Sequence, residues 1–141
     1  MPVADILTLV IDDPDIITHL RKSGLSNETI AKAKIVPADP REMPQDLTHV
    51  KGVKFPFFNT KGEVIPGAAR IRILHDNSDR KYHQADASGQ HVYLPPVLPT
   101  SLWRDTKQYI VVTEGEKKAL CAAQHGIPCI GLTGVWSWIQ R

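Results

Sequence analysis

The chain has 141 residues, of which 42% are hydrophobic and 23% are charged, and its formal net charge is +2. This size and composition are typical of a soluble globular protein with a real core, while two cysteines in apolar surroundings, Cys121 and Cys129, exclude a disulfide-stapled scaffold. No apolar run reaches membrane length and no basic leader is visible, so we expect a cytoplasmic protein with no membrane partner.

The first third of the sequence predicts two short helices. Asp13 followed by Pro14 is a favourable pair for the start of a helix, and Gly24 is a natural residue for its end. Ser26 or Asn27 can cap a second helix. The pattern therefore indicates an N-terminal helical segment.

The segment "GLSNETIAK" resembles the turn of a helix-turn-helix DNA-binding domain. That motif needs a recognition helix after the turn, lying in the major groove. Pro37, Pro40 and Pro44 leave little room for such a helix. We therefore interpret the region as a structural helix pair followed by a proline-rich connecting arm over residues 34–48.

From about Val50 the pattern changes to short strands. "VKFPFF" and "AARIRIL" carry β-favouring or alternating residues, with turn residues Asn59 and Gly62 between them. The acidic and histidine residues of "HDNSDRKYHQAD" have neither the spacing of a helical histidine pair nor that of a calcium loop. We interpret them as a polar turn between strands.

Alternation places Arg70 and Arg72 on one face of a strand and Ile71 with Ile73 on the other. Two interpretations stay open. The arginines can form the solvated face of a half-buried strand. Alternatively they present cations, together with Lys81 and Tyr82, to a phosphate backbone or a base.

The last third predicts a strand–helix–strand unit. "QYIVVTE" is an apolar strand of the kind expected inside a parallel sheet, "GEKKALCAAQH" is a helix ending at Gly126, and "IPCIGL" is a second strand. Glu114 stands at the carboxyl end of the first strand, where ligands gather in open α/β sheets. Glu114 and Glu116 can complement the helix dipole, or Glu114 can hold a metal or move a proton.

The segment "VVTEGEKKALCAAQHGIPCIGLTGVWSW" resembles the first half of a TOPRIM domain. In particular it is similar to the version found in large primase- and replicase-like proteins of phages and plasmids, of the DUF3854-like type. Several upstream segments are similar to the region preceding the TOPRIM module in those proteins, including "FPFFNTKGEVIPGAARIRI", "KYHQA" and "VYLPP". The resemblance runs from about residue 19 to the end.

The resemblance implies roles for particular residues. Glu114 matches the family's acidic residue, a general acid or base and a metal neighbour, and Gly115 matches the glycine after it. Lys118 stands where many members have an aspartate, so that position cannot bind metal. Gly131 and Gly134 match the turn that lines the same pocket.

A TOPRIM site also needs a later Asp-x-Asp pair, which this sequence does not contain. Mg²⁺ is therefore expected only if that segment is supplied from elsewhere, because one carboxylate is a poor magnesium site. We expect an α/β protein, α+β overall: N-terminal helices and arm (1–48), a β-rich subdomain (49–106) and a truncated TOPRIM-like βαβ unit (107–141). Alone, this chain is expected to be non-catalytic.

Two functions stay open. The first is a replication module that binds single-stranded or duplex nucleic acid, with Mg²⁺-dependent phosphoryl transfer only in a longer parent protein. Its candidate contacts are Arg70, Arg72, Lys81, Tyr82, Lys117 and Lys118, and Trp136 with Trp138 can stack on bases or close a core. The second is a protein-binding module or inhibitor that engages a replication or host-defence protein through an exposed sheet edge.

Overall fold

The computed structural model describes residues 11–74, 80–84 and 89–133. The expected mixed architecture of helices and small sheets is confirmed. The helices are α1 (Pro14–Lys22), α2 (Asn27–Lys32) and α3 (Glu116–Gln124). The strands are β1 (Val36–Pro37), β2 (Gly52–Phe58), β3 (Val64–Ile73), β4 (Tyr82–His83), β5 (Val111–Glu114) and β6 (Cys129–Leu132).

The two N-terminal helices begin at the predicted caps. The Asp13 carboxylate accepts a hydrogen bond from the Asp15 N–H at 2.9 Å, and the Ser26 hydroxyl accepts one from the Thr29 N–H at 3.2 Å. These bonds satisfy backbone donors that have no partner within the helix. Side-chain caps at Asp13 and Ser26 therefore fix where the two helices begin.

The proline-rich segment contains no recognition helix. Two single-turn 3₁₀ helices occupy it, at Pro40–Glu42 and Gln45–Leu47, and Val36–Pro37 forms the edge strand β1 beside β2. Its prolines interrupt any longer helix because each removes a backbone donor. The segment expected as a connecting arm thus also extends the sheet.

Four antiparallel strands form the first sheet, in the order β1-β2-β3-β4. Arg72 lies opposite Val53 and Arg70 lies opposite Phe55 in the β2–β3 register. Directly opposed residues share a sheet face. The two arginines therefore share one face, as the alternation predicts. That face also carries the buried side chains of Val53 and Phe55, so it is not simply a solvated face.

The second sheet pairs β5 and β6 in parallel, with α3 as the crossover. The prediction that β5 is a buried strand is wrong for the described residues: Val111 is 50% exposed and Val112 is 57% exposed. The reason is topological, since β6 is the one strand paired with β5 in the described part of the chain. A run of β-branched residues indicates a preference for strand, but the burial of a strand depends on the elements packed beside it.

One hydrophobic cluster joins all three parts of the sequence. It includes Leu20 from α1, Phe55 and Phe57 from β2, Leu120 from α3 and Cys129 from β6. Both cysteines are free thiols, with Cys129 buried and Cys121 partly so. Helices, sheet and βαβ unit therefore pack on shared side chains.

Tyr93 connects the middle of the chain to the βαβ unit. Its backbone N–H donates to the Gly131 carbonyl at 2.8 Å, and the Gly131 N–H donates back at 2.9 Å. The segment "VYLPP" thereby adds an isolated antiparallel bridge at β6. The predicted polar turn falls mainly in 75–79 and 85–88, which lie outside the described residues, as do Gly134, Trp136 and Trp138.

None of the helices in residues 11–74, 80–84 and 89–133 combines the length and apolar character needed to cross a membrane.

Candidate nucleic-acid interface

A cavity of about 340 Å³ lies where β3 and β4 approach the junction of β5 and α3. It brings side chains from the middle and the last third of the sequence onto one surface. Its lining residues are Arg70, Arg72, Lys81, Tyr82, Glu114, Gly115, Lys117 and Lys118. We call this surface the cationic pocket.

The first wall of the cationic pocket is built by the β3–β4 pairing. Tyr82 lies opposite Arg72 in the register of these strands. The Arg70 guanidinium carbon lies 3.9 Å from the centre of the Tyr82 ring, and that of Arg72 lies 5.1 Å away. Cations at these distances are attracted to the electron-rich ring face. The result is two arginines gathered at one aromatic ring.

The second wall is the start of α3. Gly115 adopts a φ of 88°, a left-handed conformation that turns the chain from β5 into the helix. Gly131 on β6 packs tightly behind it, since a Cβ there would lie 2.7 Å from the Gly115 carbonyl oxygen. The predicted pocket glycine Gly131 thus supports the strand-to-helix turn from behind.

Lys117 is the titratable cation of the pocket. Burial, and next the positive charge of Arg72, lower its pKa to about 8, while the Glu116 charge partly opposes them. Its ammonium nitrogen lies 2.9 Å from Nε2 of His19 on α1. A desolvated cation among like charges loses its proton more readily.

Glu116 is the buried carboxylate beneath this surface. Its side chain is 1% exposed, and Oε1 lies 3.3 Å from Nη1 of Arg70. The sequence suggested for Glu116 only an interaction with the helix dipole. The contact with Arg70 joins residues that are 46 apart in the chain. The local sequence pattern therefore could not predict it.

Glu114 lies at the carboxyl end of β5, opposite Leu132 of β6, and is exposed in the pocket wall. Five cationic side chains line the same cavity. Mg²⁺ prefers several oxygen ligands, and nearby cations repel it. Among the described residues, no group of three or more His, Cys, Asp or Glu side chains is arranged to hold a metal ion. The pocket therefore suits an anion and does not fit Mg²⁺.

The structure places six of the predicted contact residues in this one pocket: Arg70, Arg72, Lys81, Tyr82, Lys117 and Lys118. Glu114 and Gly115 lie in its wall, and Gly131 lies behind Gly115. Gly134 lies outside the described residues. Sequence reasoning did not identify Glu116, His19 or Tyr93 as neighbours of this surface.

Comparison with known proteins gives a partial family match and a fold. The family "Domain of unknown function (DUF3854)" matches residues 100–141. No curated protein matches the chain.

Among solved structures, the chain is similar to the DnaG catalytic core (TM-score 0.56, 21% identity) and the E. coli primase catalytic core (TM-score 0.58, 20% identity). It is also similar to the DnaG primase catalytic domain bound to ssDNA (TM-score 0.55, 21% identity). Each likeness covers 94% of this chain and 52–53% of the solved chain. The chain thus spans about half the length of these structures. The described residues therefore have the fold of part of a primase catalytic core.

Proposed function

We propose that this chain is a primase-type replication module that binds single-stranded nucleic acid in the cationic pocket. The observation that carries the proposal is the convergence of two arginines, three lysines and one tyrosine on a single cavity. The fold supports it, because a DnaG primase domain of the same fold has been solved bound to ssDNA. The TOPRIM-like sequence of residues 111–138 favours a replication protein of a phage or plasmid.

The chemistry of the pocket favours a polyanion with an accessible base. Lysine and arginine neutralise backbone phosphates and release counterions, which makes binding depend on salt. An aromatic ring adds a stacking surface that tolerates any base. Tyr82 supplies the ring and the neighbouring Arg70 and Arg72 supply the charge. Single strands present both groups at once, so we favour them over duplex.

We propose that this chain alone does not transfer phosphoryl groups. Two-metal chemistry needs carboxylates that hold both ions, and the cationic pocket offers Glu114 among five cations. Lys118 adds positive charge at the position where many TOPRIM domains carry an aspartate. Mg²⁺-dependent activity would require further carboxylates from another segment. Glu114 would then be the acid/base or metal-side residue.

The binding test compares two double variants with equal charge loss. Arg70→Gln plus Arg72→Gln removes the pocket arginines, and we expect roughly a tenfold or greater loss of affinity for single-stranded DNA. Arg41→Gln plus Arg104→Gln removes two cations that do not line the pocket, and it should bind nearly as wild type. Fluorescence anisotropy measures both. Equal losses in the two variants would reject the pocket as the binding surface.

A second function rests on a different observation. Val111 and Val112 of β5 are exposed, as are Tyr109 and Ile110 just before the strand. In the described residues this strand pairs with β6 alone, which leaves one edge of β5 without a strand neighbour there. Such an edge accepts a strand from another protein. We propose a protein-binding role, including binding to a host-defence or replication protein, as the alternative if nucleic acid is not bound.

A further inference from the structure

The buried carboxylate of Glu116 is positioned to organise the cationic pocket from below. The side chain is 1% exposed and does not line the cavity. Its Oε1 accepts from the Arg70 guanidinium at 3.3 Å, and Oε2 has no hydrogen-bond partner among the described residues. A buried carboxylate is stable only when it is paired and hydrogen-bonded. Arg70 is therefore its main compensation.

Tyr93 is a second buried polar residue that the charge of Glu116 affects. Its side chain is completely buried, and its hydroxyl also has no partner among the described residues. Burial raises the pKa of Tyr93 well above its usual value, and the negative charge of Glu116 raises it further. The protonated hydroxyl is thus a donor in the field of the Glu116 carboxylate. Glu116 therefore pairs with Arg70 and also raises the pKa of Tyr93.

We propose that Glu116 is a positioning residue that holds the Arg70 guanidinium at the Tyr82 ring. The proposal rests on the nucleic-acid-binding function above and assigns a role within that same site. Arg70 contacts both groups, with Nη1 at Glu116 and the guanidinium carbon 3.9 Å from the ring centre. Holding an otherwise flexible arginine in place reduces the entropy lost when a ligand binds.

The opposite expectation follows from charge alone. A carboxylate beneath a cationic surface lowers its positive potential, so removing that carboxylate should strengthen binding of a polyanion. The positioning role predicts weaker binding on the same change. The two accounts therefore predict opposite changes in affinity, so the binding of nucleic acid by Glu116→Gln distinguishes them.

We expect Glu116→Gln to weaken single-stranded DNA binding about fivefold, because the ion pair with Arg70 is replaced by a weaker hydrogen bond to an uncharged amide. Glu63→Gln is the matched control, since it removes the same charge from an exposed position that does not line the pocket and should leave binding close to that of wild type. Glu116→Asp is a second variant that keeps the charge but shortens the reach to Arg70, and it should also weaken binding. Unchanged or tighter binding in both Glu116 variants would overturn the proposal.

A double-mutant cycle identifies Arg70 as the group through which Glu116 acts. In an Arg70→Gln background, Glu116→Gln should no longer weaken binding, because the positioned group is absent. An equal loss in both backgrounds would overturn the proposal. The same four proteins are compared by urea unfolding, where a non-additive shift of the midpoint reports the Glu116–Arg70 contact without any ligand. If the wild type binds no nucleic acid, the binding function fails, and the unfolding cycle alone decides whether Glu116 holds Arg70.

Discussion

The ammonium nitrogen of Lys117 on α3 lies 2.9 Å from Nε2 of His19 on α1, and the two residues are 98 apart in the chain. An ammonium can only donate, so the charged form of Lys117 requires Nε2 of His19 to accept. The contact joins the N-terminal helices to the cationic pocket. It also places a cation with a lowered pKa at the edge of the proposed binding surface.

Nucleic-acid binding should weaken as the pH rises through about 8. Lys117 has a pKa of about 8, so it loses its positive charge near that pH. Anisotropy titrations between pH 7 and pH 9 measure the effect. Lys117→Met should bind more weakly at pH 7 and lack this fall. In Lys118→Met the decrease in affinity with pH should persist, because Lys117 is still present. A decrease that persists in Lys117→Met would show that another group causes it.

Stability should follow the opposite trend with pH. The folded-state pKa of Lys117 is about 8 and the value expected for an unfolded lysine is 10.5, so between these values the unfolded chain binds more protons. The Lys117 contribution therefore disfavours folding below pH 8 and fades as the pH rises to about 10.5. Urea unfolding of wild type should gain stability relative to Lys117→Met over that window. A constant difference between them would contradict the lowered pKa.

Gln124 should stabilise the packing of α3 on the N-terminal helices. Its Oε1 accepts from the Ser26 N–H at 2.8 Å, and its Nε2 donates to the Gly24 carbonyl at 2.6 Å. Gln124→Ala leaves both backbone groups without this partner and should lower the free energy of unfolding by about 1–3 kcal/mol. Gln108→Ala is the control, since the Gln108 side chain is exposed and donates to the carbonyl of its chain neighbour Tyr109. Equal effects of the two substitutions would contradict the role of Gln124.

Gly131→Ala should disturb the turn that presents Glu114. The new Cβ would lie 2.7 Å from the Gly115 carbonyl oxygen and 3.2 Å from its carbonyl carbon, and both are backbone atoms. Relief requires movement of β6 away from the β5–α3 turn, which we expect to cost about 1–3 kcal/mol of stability. Thermal unfolding measures the loss, and circular dichroism checks that secondary structure is kept. A variant as stable as wild type would show that the two glycines do not pack closely.

The exposed face of β5 should promote self-association if it is a protein-binding edge. Val112→Lys places a charge on a strand position that is 57% exposed, and charged edge residues block strand addition. Analytical ultracentrifugation should show concentration-dependent association of wild type and less of it in the variant. Purely monomeric wild type across the concentration range would remove this support for the alternative function.

The local sequence pattern predicted the helices and strands well. Helix α1 begins at the predicted cap, and the alternation of Arg70 with Ile71 gave the correct faces of β3. The sequence named Arg70, Arg72, Lys117 and Lys118 as candidate contacts, but their meeting in one pocket is seen only in the structure. Periodicity and capping are properties of a few consecutive residues, so they can be read directly from sequence.

The parts that sequence did not predict depend on contacts between distant segments. Glu116 gave no local signal that it would meet Arg70, and nothing around Tyr93 indicated its bridge to Gly131. The burial of β5 was overestimated because burial depends on neighbouring strands. Pairings of this kind are fixed by the packing of whole elements, which composition and spacing do not contain.

The most direct test of nucleic-acid binding in the cationic pocket is the salt dependence of single-stranded DNA affinity for wild type and the Arg70→Gln, Arg72→Gln variant. Each lost phosphate contact to a single strand changes the slope of log K against log salt by about 0.7. We predict salt-dependent binding of wild type and a slope shallower by about 1.4 in the variant. No binding by wild type, or parallel slopes for the two proteins, would contradict the account.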